Sequence, residues 1–191
     1  MSSTRLFVLG ELARRGPMHG HQIRRAAQLD HLDVWTDVKP GSLYGALRRM
    51  AAEGLVRPLR TEQEGGRPPR TVYEITTEGR HELEIHRAAA LRDAGLIPDP
   101  IDLALVHVHD MAEETVHAAL QDRRDALSHQ HQSMLHLRDQ ATPYLSTMEQ
   151  AIFDHSLRRL QLEMDWHDEL LDQLPKLLTD PAAPEGGQAN G

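Results

Sequence analysis

The chain contains no cysteine, which removes disulfide frameworks and thiolate metal sites and fits a reducing compartment. Long apolar runs are also missing. The first apolar segment, residues 6–12, is too short and too interrupted to span a bilayer, and no charged leader with a small-residue cleavage site precedes it. A cytoplasmic location without membrane attachment is therefore expected. There is no phosphate-binding glycine loop, and no serine with an identifiable histidine and carboxylate arrangement. Acidic pairs such as Glu113 and Glu114 read as solvated helix surface, so nothing points to an enzyme and no cofactor is expected.

A surplus of positive charge is lacking too, since the 191 residues carry a net charge of −8. The imbalance is unevenly spread. Residues 1–81 hold 13 Lys+Arg against 9 Asp+Glu, a balance of +4, whereas the rest holds 8 against 20, a balance of −12. If the chain meets a polyanion, the front must face it and the rear must point away.

What is present reads as short helices followed by a hairpin. Leu6, Leu9, Leu12 and Ala13 recur at helical spacing and stop at Gly16-Pro17. Residues 20–29 place Ile23, Ala26, Ala27 and Leu29 opposite Arg24 and Arg25, a second helix. A third is expected after Pro40, whose fixed backbone angle suits a first helical turn, and it should run through Glu53 to a Gly54 cap. Residues 55–60 and 72–76 are strand-like and flank a polar segment with Gly65-Gly66 and Pro68-Pro69. This is the element order of a winged helix-turn-helix with a two-stranded β wing.

A longer helix should leave this region from Thr77 toward Gly95. Beyond it, Leu120, Leu127, Met134 and Ala141 repeat every seven residues, and Met148, Ile152, Leu160, Met164, Leu171 and Leu174 keep to one helical face. Residues 103–108 alone carry a strand signal there. Helices this long need partners, so they are expected to pack on each other and on a second copy of the chain. The fold expected is mainly α, with a DNA-binding winged helix-turn-helix at 1–81, a helical dimerisation domain at 82–178 and a disordered tail at 179–191.

The third helix carries the functional signal. Leu43, Leu47 and Met50 fall on one side of the wheel, leaving Gly41, Gly45, Arg48 and Ala52 outward with Tyr44 and Arg49 beside them. A mid-helix glycine costs about 1 kcal/mol relative to alanine, so Gly45 makes sense where another surface comes very close. A DNA major groove is such a surface. Close packing within the protein is another, although it explains Arg48 and Arg49 less well. The loop at residues 65–73 reads as a wing tip that presents Arg67 and Arg70 to a phosphate strand or a minor groove. The candidate DNA-binding set is Lys39, Gly41, Ser42, Tyr44, Gly45, Arg48, Arg49, Gly66, Arg67 and Arg70.

Four segments resemble the PadR-type transcriptional regulators: residues 9–23, ending in GPMHGHQI; VKPGSLYGAL at 38–47; EGL at 53–55; and GRPPRTVYEIT at 66–76. Two departures stand out, His21 where members commonly carry tyrosine, and a wing lengthened by Pro68-Pro69. A looser likeness, in PDPIDLAL at 98–105 and EMDW at 163–166, is to the subclass with a helical C-terminal dimerisation domain. The resemblance implies a homodimer on an inverted-repeat operator of double-stranded DNA, usually a repressor released by a small-molecule effector. Two recognition helices must then enter major grooves roughly 34–36 Å apart.

Trp35 is expected in the core between the second and third helices, and Trp166 at a dimer interface or lining an effector cavity. The 13 histidines invite a metal reading, but His129 and His131, two apart on a helix, face different directions. His107 and His109 share a side only on a strand, and no third ligand is identifiable, so no metal is expected. A winged helix that contacts protein instead of DNA is the alternative, motivated by the overall acidity.

Overall fold

The computed structural model describes residues 2–29, 36, 38–63 and 68–179. It divides into two compact units, Met1–Leu96 and Ile97–Gly191. The sequence places a boundary after His81; the helix that begins at Thr77 stays whole within the first unit.

In that unit, α1 (Ser3–Arg15) ends at Gly16, whose φ of 82° ends the helix as the sequence suggests. A two-residue strand, β1 (Met18–His19), leads into α2 (Gly20–Leu29). A 3₁₀ turn at Pro40–Ser42 opens α3 (Leu43–Ala52). Gly54, at φ 77°, turns the chain into strands β2 (Val56–Glu62) and β3 (Arg70–Ile75), and α4 (Thr77–Arg92) follows. The sheet has three antiparallel strands in the order β1-β3-β2, so the expected hairpin is joined by a strand that the sequence reading missed. The core is built from Val8, Leu9 and Leu12 of α1, Ile23 of α2, and Leu43, Leu47 and Met50 of α3, all nearly inaccessible. Leu29, expected on the core face of α2, is instead 63% exposed.

The end of α3 is fastened to its neighbours. The Leu55 N–H donates back to the Met50 carbonyl, and Thr76 bridges to the same place, its hydroxyl donating to the Gly54 and Leu55 carbonyls while accepting from the Gly79 N–H that opens α4. Arg5 of α1 pairs with both Glu53 at the end of α3 (2.7 Å) and Glu82 of α4 (3.3 Å). Gly79 is obligatory here, because a Cβ would lie 2.0 Å from the Leu55 carbonyl oxygen.

The second unit is helical among the described residues. Residues 103–108, read as a strand, lie largely in α5 (Pro100–Val106), because Asp99 accepts from the Ile101 N–H and Pro100 occupies the first turn. Two long helices follow, α6 (Glu113–Ala141) and α7 (Thr147–Thr179). They run antiparallel, as the Arg124–Asp168 and Arg138–Asp154 pairs require. Val116, Leu120, Met134, Leu157, Met164 and Leu174 are buried; the seven-residue spacing anticipates Leu120 and Met134 among them, and the one-face pattern of α7 anticipates Met164 and Leu174. Met148 departs from that reading at 73% exposed. Among the described residues no helix is long and apolar enough to cross a membrane.

Candidate nucleic-acid interface

The α3 helix is seated by Leu43, Ala46, Leu47 and Met50, each at most 5% exposed. Burial of these residues, at about 25 cal/mol per Å² of apolar surface, fixes which side of the helix remains available. On the available side, Arg48, Arg49 and Ala52 are exposed and Gly45 is partly so. Gly41, Ser42 and Lys39 are exposed just ahead of it.

Neither outward glycine is required by the protein's own packing. A Cβ on Gly41 meets nothing within 4 Å, and one on Gly45 meets only the Arg49 guanidinium at 3.4 Å. Close internal packing therefore does not account for Gly45. Gly20 makes the contrast, since a Cβ there would fall 2.7 Å from the Tyr44 ring. Tyr44 is thus laid across the start of α2 and is only 38% exposed. The Ser42 hydroxyl donates to the Lys39 carbonyl at 2.7 Å and so holds the 3₁₀ turn that opens the helix.

The cations of this region differ from many others in the chain in their partners. Arg5, Arg57, Arg60, Arg123, Arg124 and Arg138 are tied to carboxylates. Among the described residues, Lys39, Arg48, Arg49 and Arg70 form no ion pair. An unpaired guanidinium can meet a phosphate without first giving up a partner. Arg70, the first residue of β3, is half-buried. It borders a cleft of about 530 Å³ together with His19, Tyr44, Arg48 and Tyr73. Gly66 and Arg67 lie outside the described residues, as do Trp35 and the expected tail from residue 180 onward.

His19 was not foreseen as part of this face. It is buried, its Nδ1 accepts the Gln22 N–H, and the Gln22 side-chain oxygen accepts the His19 N–H, a reciprocal cap on α2. Burial, and after it the nearby Arg70 charge, hold the imidazole below its ordinary pKa of 6.5. The motif signal was there in His19-Gly-His-Gln22, but the partner roles depend on a turn that only the fold supplies.

In the second unit, Trp166 is half-buried and meets the His167 ring edge-on at 4.9 Å. His167 is fully buried. Its Nδ1 donates to the Glu163 carbonyl, so Nε2 is left to accept from Arg123, which also pairs with Asp99. His107 caps the end of α5 and does not sit on a strand, so the strand-face pairing with His109 does not arise. Among the described residues no three His, Asp or Glu side chains gather as a metal site.

The family model of the transcriptional regulator PadR-like family matches residues 8–85. An uncharacterized 37.1 kDa protein of a Streptomyces fradiae transposon is 37% identical over 96 residues, which is 50% of this chain; the chain spans about a quarter of that protein's length. Bacillus subtilis PadR in complex with operator DNA superposes with a TM-score of 0.70 at 18% identity, over 91% of this chain and 99% of that one. The same protein with p-coumaric acid gives 0.68 at 16% identity, over 90% and 98%. The Vibrio cholerae virulence activator AphA gives 0.70 at 18% identity, over 92% and 99%. At these identities the structural likenesses establish the fold.

Proposed function

We propose that this chain, whose residues 8–85 match the PadR-like transcriptional regulator family model, is a regulator of that kind and binds double-stranded DNA sequence-specifically as a cytoplasmic homodimer. The proposed target is an inverted-repeat operator. The observation that carries this reading is the bare face of α3, with two outward glycines that internal packing does not need and guanidinium groups without carboxylate partners. Such a face lets the helix backbone approach base edges closely while Arg48 reaches guanine or phosphate. Lys39, Gly41, Ser42, Tyr44 and Arg49 would flank the contact, with Gly66, Arg67 and Arg70 supplying it from the wing.

Release by a small effector, with the regulator acting as a repressor, is the further part of the proposal, and the p-coumaric acid complex of Bacillus subtilis PadR supports it by analogy. An effector would release DNA only through different affinities for DNA-competent and DNA-incompetent dimers. Trp166, edge-on to the buried His167, is the residue with which to probe such a site.

The test is selection of genomic fragments on the full chain, followed by a gel-shift with competitor DNA. Retention of one inverted-repeat sequence against excess competitor is expected. Failure to retain any duplex, with a protein partner captured in its place, would establish the protein-contacting winged helix.

A further inference from the structure

Winged-helix contact with DNA, the reading on which this inference rests, puts α3 in a major groove and the wing beside the adjacent minor groove. Those two grooves are separated by one sugar–phosphate strand, so that strand must pass between the two protein elements. The molecule has a cleft at that place, about 530 Å³, bounded by His19 and His21 on one side, Tyr44 and Arg48 of α3 on another, and Arg70 and Tyr73 of β3 on the third.

We propose that this cleft seats the strand between the grooves, with Arg48 and Arg70 neutralising one phosphodiester and His19 donating its Nε2–H to the same group. Four observations support the assignment. The lining includes cationic and neutral residues and, among the described residues, no carboxylate. Glu62, the acidic residue at the end of β2, is occupied by Arg60 at 2.6 Å. Because His19 Nδ1 accepts the Gln22 N–H, the neutral ring carries its proton on Nε2, where it makes no hydrogen bond among the described residues. Tyr44, held over Gly20, and Tyr73 supply apolar wall for the sugar, which a phosphate-only site does not need.

Direct readout and strand seating are separable, because a phosphate contact carries charge but no sequence information. His19 thereby becomes a register-setting residue outside both the helix and the wing.

The experiment measures affinity of the full chain for its selected operator and for a scrambled duplex over a range of salt, with Arg70→Gln and His19→Asn. Asparagine keeps an oxygen to cap α2 but lacks the Nε2 donor. Each duplex is also prepared with a single methylphosphonate at successive positions. Arg70→Gln should reduce the slope of log affinity against log salt by about one, and lower affinity for both duplexes by the same factor. His19→Asn should weaken both about tenfold, with its circular dichroism melt unchanged at neutral pH. One methylphosphonate position should weaken Arg70→Gln and His19→Asn distinctly less than it weakens the wild type.

An unaltered salt slope in Arg70→Gln, or additive effects at every methylphosphonate position, overturns the strand seat while leaving DNA binding by the chain intact. Wild-type protein that retains no duplex at all overturns the underlying reading instead, and the seat with it.

Discussion

Replacing Gly45 with alanine separates folding from DNA contact within one side chain. The added methyl meets only the flexible end of Arg49, and alanine is a better helix former by about 1 kcal/mol. The variant should melt higher by circular dichroism and bind operator about 10-fold more weakly, ~1.4 kcal/mol. Gly79→Ala should do the reverse of the first effect, losing about 1–3 kcal/mol of stability because its Cβ is driven onto the Leu55 carbonyl. Arg48→Ala should cost about 1–3 kcal/mol of operator affinity by fluorescence anisotropy and weaken binding to scrambled DNA by a similar factor, as loss of a phosphate contact does. His19 makes stability sensitive to pH. Its folded pKa lies below 6.5 because of burial first and Arg70 second, so the neutral ring is favoured by folding. That contribution is fully present above pH 6.5 and is lost as pH falls through the folded value. Melting temperatures taken from roughly pH 7.5 down to 5 should fall more steeply for the wild type than for His19→Asn, which does not ionise there.

At the scale of elements, α3 was readable from the chain because every local signal agreed: Pro40 at its start, apolar residues every three or four positions, and Gly54 beyond its end. The strand β1 was not. Two residues carry no periodicity, and Met18 and His19 become a strand only because Tyr73 and Val72 of β3 lie alongside. Residues 103–108 misled for a different reason. A short, nearly continuous apolar run is shared by strands and short helices, and the deciding feature, the Asp99 cap ahead of Pro100, stands just outside it. The burial of His167 was equally unreadable, since its partner Arg123 is 44 residues distant. The acid response of the α6–α7 pair follows from two aspartates. Asp99 is held below the ordinary carboxylate value of 3.8 chiefly by the Ile101 N–H, and Asp168 by its bond to Arg124. Both therefore contribute stability above that value and lose it as the pH falls through their lower folded values. Helical ellipticity of an Asp168→Asn variant should show a shallower loss in acid than the wild type.

For the molecule as a whole, the split of charge between a +4 front and a −12 rear keeps the phosphate-attracting surface to one end of the sequence, despite the negative total. The second unit leaves Leu103, Met148, Leu162 and Leu177 between 48% and 73% exposed. Those side chains fit the proposed homodimer better than a lone chain. Leu162→Glu should shift the sedimentation profile toward monomer and weaken binding to a two-half-site operator far more than to a single half-site. An unchanged profile would remove this face from the dimer. Within the first unit, the join at Leu55, Thr76 and Gly79 has a mechanical outcome. With a backbone oxygen packed against a glycine and a threonine hydroxyl bonded on both sides, any rotation of α4 relative to α3 has to break these contacts. A displacement of α4 that keeps this join intact therefore carries the end of the base-facing helix with it.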